Sequence, residues 1–376
     1  MKQLSQLSRR ARWAVPTGAV VVVGGVLAGS VISVAQAAPS LPAKTPAQLL
    51  AALAAKPATP PLTGTVVETS SLGLPSLPGT SSPGSLASLL TGSHTIRIWY
   101  SDPQHFRLAV PQSMSESDVI RNGSSAWVWE SSQNSVTHLV IPAKAGKNAQ
   151  KAEPSQTPLT PQQAANEVLK QVGPTTTVRV DSNVTVAGEA AYQLVLAPKS
   201  SSSLIGQIRI AVDGSRDVPL RVQVFAKGGK SPAMQIGFTS ISFVKPAAAN
   251  FDFTTPAGAK VEQETLGSGS DQAKKAPSDD ASVVGQGWLA VADLPSSVLS
   301  GATAVRSQPT GSGLSGDSDQ VVSALIKSAT PVSGSWGSGR LIKTSLISIL
   351  ITNNGRVLVG AVTPQVLYSA AAQAAK

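Results

Sequence analysis

Between His94 and Pro142 the chain alternates apolar and polar residues in several short runs separated by turn signals. Ile96, Ile98 and Tyr100 fall on one side of the first run, Thr95, Arg97 and Trp99 on the other. After Ser101-Asp102-Pro103-Gln104, Phe106, Leu108 and Val110 again share a face, with Arg107 opposite. Asn122-Gly123 supports the positive φ angles of a tight turn, and Trp127 and Trp129 project together from the next run. Gln133-Asn134 marks another turn before Val136, His138 and Val140. A period of two with turns this close predicts an antiparallel meander with one face committed to apolar contact.

The same alternation predicts strands at 62–69, 177–180, 183–186, 191–197, 205–212, 220–226 and 234–243. Tyr192, Leu194 and Leu196 share a face, and Ile208 and Ile210 stand opposite Arg209. Two helices interrupt the strands, each opened by Thr-Pro-x-Gln, at 45–48 and 160–163. That pattern is a capping box with proline at N1, the hydroxyl serving the N3 amide and the glutamine reaching back. Leu49, Leu50 and Leu53 stripe the first helix, which Pro57 ends. Ala164, Ala165, Val168, Leu169 and Val172 stripe the second, which Gly173-Pro174 ends.

Composition divides the chain further. Residues 1–38 read as an export signal: Arg9, Arg10 and Arg12, an apolar run over 14–34, then Ala35-Gln36-Ala37 as a cleavage site. That run is long for a signal, so an uncleaved membrane anchor is the alternative. Two inserts, 70–92 and 143–160, are polar or rich in Gly, Ser and Pro. The first carries leucines enough to act as a flap over an apolar groove, or else is a surface loop. Residues 265–281 have linker composition. Beyond them a strand at 283–291, a helix at 319–327, a hairpin of 341–352 with 356–363 around Asn353-Asn354-Gly355, and a last helix after Thr363-Pro364 are expected. This stretch, 282–376, is either a small α+β module or a further edge of the main sheet.

Charge and chemistry narrow the function. There is no cysteine, and His94, His105 and His138 show no metal-ligand spacing. The formal charge is +10, of which Lys2, Arg9, Arg10 and Arg12 belong to the leader. The remaining basic residues are scattered, which argues against a nucleic-acid partner but allows contact with an anionic membrane surface. No nucleophile elbow or local Ser/His/Asp arrangement stands out. Gly311 to Gly316 matches G-x-G-x-x-G without a βαβ context, so no nucleotide or other cofactor is expected. The clustered Trp99, Phe106, Trp127 and Trp129 are either sheet core or the wall of an apolar cavity.

The order of these elements, with DPQHFRL at 102–108, IRNGSSAWVWESSQNSVTHLVI at 120–141 and FDFTTPAGAKV at 251–261, resembles the LolA/RseB-like superfamily, including related actinobacterial lipid-binding proteins. The resemblance spans about residues 44–264. It implies a mainly β, α+β fold: an unclosed antiparallel half-barrel with helices covering its concave face and a hydrophobic cavity for acyl chains. Ile96, Ile98, Phe106, Leu108, Trp127, Trp129, Leu194 and Ile208 then become the expected cavity wall. Leu49, Leu53, Val168 and Leu169 become the expected lid. The implied function is a non-enzymatic, extracytoplasmic carrier of lipid or lipoprotein acyl chains; the alternative is an envelope sensor that binds an anti-sigma factor or other membrane protein. Where the carrier has an arginine before the proline of its strand turn, this chain has Asp102, and it lacks a lipobox cysteine.

Overall fold

A computed structural model describes residues 39–55, 59–73, 91–141, 160–170, 172–265, 281–296 and 328–374. The expected leader, nearly all of both inserts and of the linker, the helix expected at 319–327 and the glycine motif at 311–316 lie outside these residues.

Both capping boxes form. Thr45 opens α1 (Pro46–Ala54): its hydroxyl accepts from the Gln48 amide, and the Gln48 side chain accepts from the Thr45 amide. Thr160 and Gln163 repeat this at α2 (Pro161–Leu169).

The period-two runs form eleven strands, β1 (Leu62–Ser71), β2 (Thr91–Asp102), β3 (His105–Pro111), β4 (Glu116–Asn122), β5 (Ser125–Glu130), β6 (Ser135–Val140), β7 (Thr176–Val186), β8 (Glu189–Pro198), β9 (Ile205–Asp213), β10 (Pro219–Ala226) and β11 (Met234–Ser242), and an exposed strand that no alternation announced, β12 (Lys260–Thr265), joins them. They make one sheet in the order β12-β6-β5-β4-β3-β2-β1-β11-β10-β9-β8-β7. All neighbours are antiparallel except β12, which runs parallel to β6. Its outer strands β12 and β7 do not pair, so the sheet is open rather than a closed barrel. The runs at 177–180 and 183–186 are one strand, β7, with an irregularity between Asp181 and Val184.

One face carries the helices and the main core, in which Leu49, Leu53, Val66, Ile96, Leu194, Leu196 and Ile210 are buried. Helix α1 rests on β7, and α2 lies on β10 and β11. Ala164 and Ala165, both buried, let α2 approach the sheet closely. Gly64 on β1 serves a similar purpose: a Cβ there would sit 2.7 Å from the Ser240 carbonyl oxygen and 2.9 Å from the Phe238 ring.

The C-terminal strands form a second sheet rather than an edge of the first. β13 (Ser282–Val284), β14 (Val291–Pro295), β15 (Thr330–Gly334), β16 (Gly337–Lys343), β17 (Ser348–Thr352) and β18 (Arg356–Gly360) pair in the order β13-β14-β18-β17-β16-β15. Helix α3 (Pro364–Ala374) packs on it through Leu367, Ala370 and Ala371. The single strand expected at 283–291 is broken in two, because Gly285 and Gly287 at φ 82° and 56° open a 3-10 turn at Gly287–Leu289. That turn sends Trp288 into the core of the first sheet, where its indole donates to the Thr176 hydroxyl at 2.8 Å. The run at 341–352 also divides: the Thr344 hydroxyl accepts from the Leu346 and Ile347 amides and holds a turn between β16 and β17.

Candidate functional site

Strand register decides which face each expected site residue occupies. Across the meander, Ile98 pairs with Leu108, Leu108 with Val119, and Val119 with Val128. Tyr100 pairs with Phe106, Phe106 with Arg121, Arg121 with Ala126, and Ala126 with Leu139. Cross-strand partners point to the same side of a sheet. These two rows therefore share the helix face with Ile96, Val66 and the main core. Trp127 pairs with Ile120, and Trp129 with Asp118, so both tryptophans point to the opposite face.

The expected cavity wall is thus not one surface. Ile96, Ile98, Leu194 and Ile208 are on the helix face and buried, as are the lid residues Leu49 and Leu53. Val168 and Leu169 are half-buried against the same core. Phe106 and Leu108 are half-buried on that face too, Leu108 against the same core. Trp127 and Trp129 lie behind the sheet, and a single groove cannot include them. The sequence shows their alternation but not which side of the sheet the helices take.

What holds Trp127 is the segment after β11. Phe253 approaches its ring with centroids 5.9 Å apart, while His138 stacks on it at 5.2 Å with planes 6° apart. Phe251, buried, faces His105 at 6.1 Å. Asn122 donates to Asp252, and Asn134 donates to the Gly258 carbonyl. The FDFTTPAGAKV segment therefore crosses the back of the meander and delivers β12 to β6. Ile120 and Val136 are buried on this back face, so the meander buries apolar residues on both sides, although Arg107, Asp118 and His138 share the back. There Arg107 stacks over Trp99 at 5.5 Å and pairs with the buried Asp118. Burial, and then Glu116 nearby, pushes the Asp118 carboxyl up to about 6 against the pull of Arg107.

On the helix face the cover is uneven. Both helices make their main contacts over β7, β10 and β11. Over β3 to β6 the floor is Phe106, Leu108, Val119, Val128 and Leu139, all half-buried, with Leu108 reaching the main core. One end of this floor carries Arg121, whose Nε donates to the Gly123 carbonyl at 3.3 Å. The next row is polar: Ser117, Glu130 and Ser135, with the Ser117 hydroxyl donating to Glu130 at 2.6 Å. The result is a short apolar floor bounded by a cation at one side and a carboxylate at the other. Glu68, at the end of β1 on this face, is also buried, and burial raises its pKa while His94 opposes the shift.

Asp102, at the position of the carrier's arginine, serves its own turn: it accepts from the Gln104 amide at 2.8 Å and contacts His105 Nδ1 at 2.9 Å. Among the described residues no group of three His, Asp or Glu side chains could hold a metal ion. Among them, too, no helix is long and apolar enough to cross a membrane.

No family model matches the sequence, and no curated protein matches it. Solved structures do. The complex of MucA with MucB from Pseudomonas aeruginosa matches at 15% identity over 87% of this chain and 96% of that one, with a TM-score of 0.41. A LolA superfamily protein from Nitrosomonas europaea matches at 10% identity over 56% and 99%, TM-score 0.23. An outer membrane lipoprotein-sorting protein domain from Vibrio parahaemolyticus matches at 8% identity over 54% and 93%, TM-score 0.23.

Proposed function

We propose that this chain is a non-enzymatic, extracytoplasmic binding protein that takes acyl chains of a lipid or an acylated lipoprotein onto the open part of its helix face. The observation that carries the reading is the only partly buried floor of Phe106, Leu108, Val119, Val128 and Leu139, continuous with a buried core yet outside the main reach of α1 and α2. Apolar surface in that state gains from a ligand that covers it. Arg121 at the edge suits the carboxylate or phosphate at the head of such a chain. In this reading the buried Ile96, Ile98, Leu194 and Ile208 support the floor from within the core and do not touch the ligand.

A fluorescent fatty acid titrated into the purified chain tests this, with native mass spectrometry to count what is bound. Saturable one-to-one binding, displaced by unlabelled palmitate, is the expected result. A chain that carries no lipid and refuses the probe would remove the carrier reading. A sensor of the RseB type would place a peptide segment of a membrane-anchored partner on the same face, and palmitate would then fail to compete with it.

A further inference from the structure

We infer that the face of the first sheet turned away from the helices holds a second site, a pocket for a phosphate-bearing polar molecule built on Arg209 and Arg221. An open depression of about 610 Å³ lies there over β7 to β10, walled on one side by the turn at 229–232. That is within the size range of small-molecule sites. Register builds it: Arg209 on β9 pairs with Gln223 on β10, Arg221 on β10 pairs with Ala211, and Phe225 pairs with Gln207. All of these point away from Ile208, Ile210 and Val222, which are buried under the helices.

The polar inventory of the pocket is one-sided. Arg209, Arg221 and Lys230 contribute cations, Gln193, Gln207 and Gln223 contribute amides, and the lining has no carboxylate. Asp181 on β7, outside the lining, feels the charge of Arg209 but is paired with Arg179 at 3.0 Å. Neither Arg209 nor Arg221 has an ion pair among the described residues. Arg209 lies over the Phe225 ring at 4.8 Å, and its Nε is buried with no hydrogen-bond partner.

Two cations on neighbouring strands with no anion between them repel each other, and a buried donor left unpaired is costly. Burial lowers the pKa of the Arg221 guanidinium, and the charge of Arg209 adds to that shift. The sheet nonetheless gives Arg221 room: Gly237 opposite it has no side chain, and a Cβ there would lie 2.8 Å from Arg221 Cγ. An arrangement that is unfavourable when empty, and cradled, fits a ligand that supplies the missing charge. A phosphate monoester offers two negative charges to two guanidinia and accepts their forked hydrogen bonds. The glutamine amides, donors and acceptors together, suit the hydroxyls of a sugar or polyol attached to it.

The phosphate can sit on a soluble molecule or on a lipid headgroup, and the test separates the two. Glucose 6-phosphate and, separately, phosphatidylcholine vesicles carrying phosphatidylinositol 4-phosphate would be titrated into the whole chain, with glucose and plain phosphatidylcholine vesicles as controls. Binding of either phosphate probe, weakened about tenfold or more by Arg209→Gln, partly kept by Arg209→Lys and a few-fold weaker in Lys230→Gln, is the expected result. Lys230 is exposed on the turn, so that variant reports even if Arg209→Gln disturbs the fold. Glucose 6-phosphate alone would mark a soluble ligand, and the vesicles alone a membrane one. Failure of both probes overturns the inference. So does wild-type binding in Arg209→Lys and Lys230→Gln together. Fatty-acid binding on the helix face should stay unchanged in every variant, so each site stands or falls separately.

Discussion

Val119 lies at the centre of the acyl floor, with Leu108 on one side and Val128 on the other. Placing a carboxylate there, Val119→Asp, tests the reading most economically. Strands β3 to β6 at ~4.8 Å spacing make a floor about 14 Å across, enough for roughly ten methylenes. At ~0.8 kcal/mol for each fully buried CH₂, a chain held on one side gains roughly 4 kcal/mol and one covered on both sides roughly 8. Those values correspond to Kd of about 1 mM and about 1 μM. A carboxylate at the centre must be desolvated or must lift the chain off, and should weaken binding by about 2–3 kcal/mol, roughly 30- to 150-fold. Displacement of a fluorescent fatty acid reads this directly. Affinity should also rise with chain length up to about ten methylenes and then level off. Trp127→Tyr, on the opposite face, should leave both results unchanged. Val119→Asp binding within about twofold of wild type, with the β-sheet circular dichroism intact, would refute the argument. An equal loss in Trp127→Tyr would do the same.

Arg121→Gln should lower affinity for palmitate several-fold while leaving hexadecanol unchanged, because an exposed charge pair is worth about 0.2–1 kcal/mol; equal losses for both would deny Arg121 a headgroup role. Asp118, with its pKa pushed up to about 6, makes the native chain hold a proton that the unfolded chain releases near pH 3.9. Its contribution to stability is full below about pH 4 and is lost as pH rises through about 6, at up to about 1.4 kcal/mol per pH unit. Urea melts of Asp118→Asn across that window should lose this slope; an unaltered slope would assign it elsewhere. Trp288→Ala should cost about 3–5 kcal/mol. Trp288→Phe should cost only about 1, for the lost bond to Thr176. Guanidinium unfolding checks both, and near-zero values would mean the 3-10 turn does not anchor to the first sheet.

Much of the fold was legible because local chemistry dictated it. Thr45 and Thr160 announce their helices through hydroxyl, proline and glutamine within four residues, and the alternation of Ile96, Ile98 and Tyr100 fixes a strand and its faces. What sequence could not supply was the identity of each face. Alternation says that Trp127 and Trp129 share a side, but only the ladder from Ile98 through Leu108, Val119 and Val128 shows that the side is not that of Ile96. Besides His138 on the next strand, Trp127 meets Phe253, more than a hundred residues away, and no local pattern announces that contact.

Glycines at 285 and 287 did carry a signal that the strand expected at 283–291 would break. Arg209 opposite Ile208 and Ile210 was likewise visible as an outward charge, but its neighbour Arg221 comes from the next strand, so the pair exists only after folding. The placement of the C-terminal strands in a sheet of their own depends on non-local pairing and was left open by composition.

The most direct test of an acyl floor is to ask where a bound chain lies. A palmitate analogue with a diazirine near its tail would be irradiated on the whole protein, and the labelled peptides sequenced. Label on Phe106, Leu108, Val119, Val128 or Leu139, lost on competition with palmitate, is the predicted result. Label concentrated on Trp127, Trp129 or the 251–261 segment would place the chain behind the sheet and contradict the account.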